Sequence, residues 1–102
     1  MAKFSKYELR ERAKVLAAYN HCCAACGSPM DLEVDHVHPR NAGGTDTFEN
    51  LQILCHHCNN RKNGVVGIPK LDPREPLDSC LEILANREIF VSYLDECKRL
   101  AR

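Results

Sequence analysis

A chain of 102 residues has room for one small domain, and at that size folding buries only about 60–65% of the unfolded surface, so an apolar core alone is marginal. The apolar fraction of 44% and the charged fraction of 27% are those of a globular protein. They argue against a disordered chain, and no apolar run nears the ~18 residues of a membrane span. The 14 basic and 14 acidic residues cancel, so net charge names no partner. The arms at 1–20 and 61–75 lean basic and the stretch 31–50 leans acidic, the outline of a cation site beside polyanion contacts.

In chain order, Ser5-Lys6-Tyr7-Glu8 has the spacing of a capping box, and Leu9, Ala13, Leu16 and Ala17 recur at helical intervals. A helix is expected over about 6–19. A loop over 20–30 holds His21, a cysteine cluster and Gly27-Ser28-Pro29. Residues 32–37 alternate apolar and polar side chains and predict a short strand, and Pro39 and Gly43-Gly44-Thr45 mark a long connection. A second apolar segment follows at 51–54, then a short helix from His56 to Asn63, ended near Gly64. Residues 65–76, punctuated by Gly67, Pro69, Pro73 and Pro76, read as a connector. From 77 to about 101 the apolar residues return to helical spacing, as one helix or two broken near Asn86, expected to pack on the N-terminal helix. The expected class is α+β, one domain over 1–102 with flanking helices at 1–20 and 77–102 around a core at 21–64.

Seven cysteines are too many for chance, and their odd number argues against a disulfide framework. No apolar leader follows the basic residues 1–6, so a reducing, cytoplasmic setting is expected, where metal is the commoner use of cysteine. Cys23-x-x-Cys26 and Cys55-x-x-Cys58 form two knuckles. A two-residue gap lets both sulfurs of a pair reach one ion, and two pairs complete a tetrahedral shell with no open position, which makes a zinc there structural. Such an ion adds folding free energy on the order of 10 kcal/mol. Cys22 competes with Cys23 for the first position at the looser spacing to Cys26. Cys80 and Cys97 fall on the C-terminal helical pattern and read as small buried hydrophobes.

Between the knuckles lies Val34-Asp35-His36-Val37-His38-Pro39, then Gly43-Gly44, then Glu49-Asn50-Leu51, and behind the second knuckle Asn59-Asn60-Arg61-Lys62. Adjacent residues of a strand point to opposite faces, so Asp35 can bind a hard cation through oxygen while His36 stays uncoordinated as a base. Asn59 directly follows a zinc-ligand position, which would hold its carboxamide in a fixed place. Taken singly, each of these residues also reads as an exposed polar side chain or a turn former.

Taken together, in this order, the motifs over residues 20–64 resemble the HNH endonuclease family, in its zinc-containing branch. The resemblance implies a ββα-metal fold, a two-stranded hairpin and a helix around one divalent cation. It implies that His36 is the general base activating the attacking water, Asp35 the first metal ligand, and Asn50 the residue that pins the loop between the strands and helps to orient His36. Asn59 stands where the family usually has its last histidine, which makes this an HNN form and favours Mg²⁺ or Mn²⁺ over softer metals. Cys23, Cys26, Cys55 and Cys58 match the structural zinc ligands. Arg40, Arg61 and Lys62 are the expected phosphate contacts. His38, His56 and His57 are either supports of the site or polar surface.

The function so implied is one-metal hydrolysis of DNA phosphodiester bonds, leaving 5′-phosphate and 3′-hydroxyl ends. An ordinary imidazole protonates below about pH 6.5, and activity that needs a neutral His36 is expected to fall there. No recognition-helix pattern and no strongly basic face appears, so weak sequence preference and salt-sensitive binding are expected. DNA-packaging or restriction machinery is the kind of protein partner the resemblance implies; a membrane is not. The alternative from another class is a zinc-stabilised nucleic-acid or protein-binding module without cleavage. A plain zinc ribbon leaves Asp35, His36 and Asn50 without a role.

Overall fold

A computed structural model describes residues 6–63, 65 and 67–100, with side chains from residue 11 onward. Helix α1 spans Lys6–Ala18, strand β1 Leu32–His36, strand β2 Leu51–Cys55, helix α2 His56–Lys62 and helix α3 Cys80–Leu100. Short 3₁₀ turns at Arg40–Ala42 and Phe48–Asn50 shape the long β1–β2 connection. The Ser5–Glu8 capping box, the Leu9 side chain and Gly64 lie outside the described residues.

The two strands pair antiparallel in a register that sets Leu32 opposite Cys55, Val34 opposite Ile53 and Asp35 opposite Gln52. All five residues of β2 are buried, whereas β1 is mostly half-buried. The difference follows from position: β2 packs against both α1 and α2, so neither of its faces meets water. One apolar cluster runs from Val15 of α1 and Tyr19 just beyond it through Cys23–Cys26, the apolar residues of β2 and Cys58 to Phe90 and Leu94 of α3.

The elements match the expected α+β order, a hairpin and a helix with helices before and after. Details differ. Helix α1 buries Val15, and the turn after it Tyr19, rather than Ala13 and Ala17, which are exposed. Helix α3 begins at Cys80 because Ser79 Oγ accepts from Glu82 N at 3.3 Å, a cap that stops the pattern from starting at 77. It runs unbroken through Asn86, whose amide donates to Cys26 O at 3.2 Å instead of competing for its own helix backbone. Nor does α3 lie chiefly on α1; it packs on α2. Cys80 is exposed and Cys97 only half-buried against the core.

The connector is firmly attached. Tyr19 Oη donates to Leu71 O at 2.7 Å, Leu71 N donates to the Gln52 side chain at 2.8 Å, and Leu77 N donates to Gly27 O at 2.9 Å. With Val65 and Ile68 in the core, it ties α1, β2 and the first cysteine loop together.

Candidate functional site

Cys23, Cys26, Cys55 and Cys58 converge with all four Sγ atoms within 4.8 Å of one another. The Cys26 and Cys55 sulfurs are 3.6 Å apart, too long for a disulfide and close to the about 3.8 Å edge of a tetrahedral zinc site with Zn–S bonds of about 2.3 Å. Cys22 is buried too but outside the cluster, its thiol donating to Arg74 O at 3.0 Å. Backbone N–H groups of Ala25 and Cys26 point at Cys23 Sγ, and that of Cys58 at Cys55 Sγ, at 3.3, 3.4 and 3.5 Å. Hydrogen bonding from Cys23 pulls the Cys26 thiol far below the ordinary range and the Cys55 thiol down to about 6. Contact with Cys26 pushes Cys23 up, and contact with Cys23 pushes Cys58 up. Four buried, closely spaced sulfurs, with backbone N–H groups aimed at Cys23 and Cys55, suit a structural zinc held as a tetrathiolate.

Across β1 from this cluster, an open groove of about 580 Å³ is lined by Glu33, Asp35, His36, Arg40, Asn59 and Lys62 among others. Asp35 is 8% exposed. Its Oδ2 accepts from Gln52 Nε2 and from Lys62 Nζ, each at 2.8 Å. Lys62, 5% exposed, also donates to the carbonyls of His36 at 2.9 Å and Val37 at 3.3 Å. Gln52 is fixed in turn by Leu71 N on its oxygen, so its amide nitrogen has to face Asp35. Both donors fall on one carboxylate oxygen.

Asn59 Nδ2 donates to Glu33 Oε1 at 2.8 Å, and His56 Nδ1 meets Glu33 Oε2 at 2.8 Å. A carboxylate only accepts, so the amide turns its nitrogen to Glu33 and keeps Oδ1 for another partner. The Glu33 contact holds the His56 pKa above the ordinary imidazole value.

His36 closes β1, so it borders the same groove as Asp35 although the two alternate along the strand. Its Nε2 is 2.7 Å from Asp46 Oδ1, and Arg40 Nε donates to that same oxygen at 2.7 Å. Arg40, then His36, holds the Asp46 carboxyl below the usual carboxylate range. An ionised Asp46 can only accept, so Nε2 carries the ring proton and Nδ1 is the basic atom of neutral His36. Asn50 spans the loop: its Oδ1 accepts from His38 N at 2.9 Å, and its Nδ2 donates to His38 O at 3.0 Å and Thr45 O at 2.7 Å.

The structure therefore brings Asp35, His36, Asn59 and Arg40 to one groove and sets Asn50 in the loop behind it. Lys62 stands apart from the expectation of a phosphate contact, because its ammonium is buried on Asp35. Arg61 lies outside this groove, in a second one between α2 and α3 with His57, Leu84 and Arg87. The His38 side chain is exposed. Sequence reasoning missed Glu33, Asp46 and Gln52. Strand alternation carried a signal for Glu33, two residues from Asp35 on the same face, whereas Asp46 and Gln52 depend on loop path and register.

The HNH endonuclease family model matches residues 23–64. The CRISPR-associated endonuclease Cas9 of Corynebacterium diphtheriae is 50% identical over 44 residues, covering 39% of this chain and 4% of that protein. The chain thus spans only a small part of the length of that relative. No solved structure gives a significant match. The match covers both cysteine pairs, the hairpin, α2 and the groove residues Asp35, His36 and Asn59, so it is over residues 23–64 that this chain is similar to HNH endonucleases.

Proposed function

We propose that the protein is a metal-dependent DNA endonuclease that hydrolyses phosphodiester bonds by a one-metal mechanism. The observation that supports this above all is the meeting of the Asp35 carboxylate, the Asn59 amide and the His36 ring on one open groove. With Oδ2 of Asp35 taken by Gln52 and Lys62, its Oδ1 and Asn59 Oδ1 remain as ligands. One carboxylate and one amide oxygen suit a hard cation that keeps several waters, Mg²⁺ or Mn²⁺. A cation bound there supplies positive charge to the phosphate and to the leaving 3′-oxygen.

The chain's own residues do the rest. His36 takes the proton of the attacking water at Nδ1, because Asp46 holds the tautomer with hydrogen on Nε2. Lys62 offsets the buried charge of Asp35 and links it to the backbone at His36 and Val37, so that ligand and base share one support. Asn50 keeps the loop closed behind His36. The four cysteines, loaded with zinc, fix Cys58 and hence Asn59, the next residue. Arg40, which also holds Asp46, and Arg61 on α2 are the proposed phosphate contacts, which position DNA without reading its sequence.

The test is a supercoiled-plasmid assay with zinc-loaded protein and added Mg²⁺ or Mn²⁺, beside His36→Ala. Metal-dependent cleavage that His36→Ala abolishes is the expected result. An intact plasmid with folded, zinc-bound protein would overturn the reading in favour of a binding module. The nicked-to-linear ratio then shows whether one strand or both are cut, and a steep fall in binding with salt is expected for a contact dominated by phosphate.

A further inference from the structure

Helix α3 lies outside the segment that matches the HNH family, yet it reaches the cysteine cluster. Arg87 Nη2 lies 3.7 Å from Cys55 Sγ, and the neighbouring Asn86 amide holds the carbonyl of Cys26. One turn of α3 therefore touches both cysteine pairs. Among the described residues, the buried Arg87 Nε has no hydrogen-bond partner. A buried guanidinium nitrogen left unpaired is costly unless a compensating negative charge lies beside it.

A tetrathiolate zinc changes that balance. Four thiolates and one Zn²⁺ carry a formal charge of −2, and the sulfurs here are almost wholly shielded from water. Backbone N–H groups spread part of that charge, but a full positive charge beside Cys55 counters it directly. We propose that Arg87 is the charge partner of the metal-loaded cysteine cluster, so that α3 docks on the loaded cluster and retards metal loss. In this role α3 is a brace for the metal centre, and Arg87 is its positioning residue.

The inference rests on the cysteines holding zinc, so metal content of the purified full-length chain is measured first. A chain that takes up no zinc fails the metal reading itself and overturns the proposal with it. With zinc present, release to an excess of a chromogenic chelator is followed for wild type, Arg87→Met, Arg87→Lys and Asn86→Ala. Arg87→Met keeps the apolar stem and removes the charge, and release is expected to quicken about 10- to 100-fold. Arg87→Lys should fall between wild type and Arg87→Met, and Asn86→Ala, which removes a helix contact but no charge, should quicken release less than Arg87→Met. Release from Arg87→Met at the wild-type rate would overturn the proposal, as would equal acceleration by Asn86→Ala, which would make helix contact rather than charge the cause. Should Arg87→Met not fold, the ¹⁵N side-chain resonance of Arg87 in cadmium-loaded wild type decides. Exchange of its Nε proton with water should slow on metal loading, and an unchanged rate between loaded and stripped protein would refute the pairing.

Discussion

The Asp46 carboxylate lies 2.7 Å from His36 Nε2, so a loop residue ten positions downstream grips the ring that ends β1. Arg40 shares the same oxygen and keeps Asp46 ionised. The pair fixes which ring nitrogen is basic, the arrangement in which a carboxylate orients an imidazole without taking its proton.

Asp46→Ala frees the ring to adopt the other tautomer and to rotate. Steady-state cleavage kinetics should show kcat lowered about 10- to 100-fold with KM little changed, a part of the 10²–10⁴ that a general base contributes. Asp46→Asn keeps an acceptor but no longer enforces the tautomer, and should fall between. Equal rates for wild type and Asp46→Ala would show that the ring needs no partner.

Lys62 and Asp35 form a buried pair at 2.8 Å, with side chains 6% and 9% exposed. Removing one partner strands the other charge, at a cost of about 3–5 kcal/mol. Urea unfolding of Lys62→Met and Asp35→Asn should show losses of that order, and the double variant should lose clearly less than their sum. Additive losses would mean that the two charges do not interact. Because the ammonium sits on Asp35 rather than at the surface, Lys62→Met should also alter metal dependence more than salt dependence.

Much of this was legible in sequence because the informative features are local. Two Cys-x-x-Cys pairs carry their meaning in spacing alone, whereas Asp35, His36 and Asn50, each bland when taken singly, gain a proposed role only from the order of motifs that resembles the HNH family. What was hidden depends on chain path. Gln52 meets Asp35 only because the register puts them opposite each other. Asp46 reaches His36 only because the loop turns back through Gly43 and Gly44. Lys62 looks like a surface charge on a short helix until β1 is laid against that helix. The same holds for α1: periodicity favoured Leu9, Ala13, Leu16 and Ala17, but the core takes Val15 and, just past the helix end, Tyr19, with Leu16 packed beside them and Ala13 and Ala17 exposed.

His56 gives a pH test of the groove's edge. Its protonated form is favoured in the folded chain by the bond to Glu33, so its pKa is raised. The contribution of the pair is complete below about pH 6.5, the ordinary imidazole value, and is lost as pH rises through the raised folded value. The group is exposed, so the effect belongs in an NMR titration rather than in global stability. The midpoint of His56 should lie above 6.5, and Glu33→Gln should return it there. A midpoint already at the ordinary value would remove Glu33 as the anchor of both His56 and Asn59.

The two adjacent glycines separate two kinds of constraint. A Cβ on Gly44 would lie 1.8 Å from His38 O and 2.8 Å from Pro39 O, both backbone atoms that cannot turn aside. Gly44 N donates to Pro39 O at 2.9 Å, so this close approach closes the loop that carries Asp46 and receives Asn50. Gly43 has open space around it but a φ of +91°. Gly43→Ala should therefore cost only the strain of a left-handed residue, about 1 kcal/mol. Gly44→Ala must displace the loop, at a cost of about 2 kcal/mol or more, and should lower cleavage along with stability because His36 loses Asp46. Urea unfolding of the two variants checks the order. Gly44→Ala as mild as Gly43→Ala would show that the loop can open without disturbing the contact between His36 and Asp46.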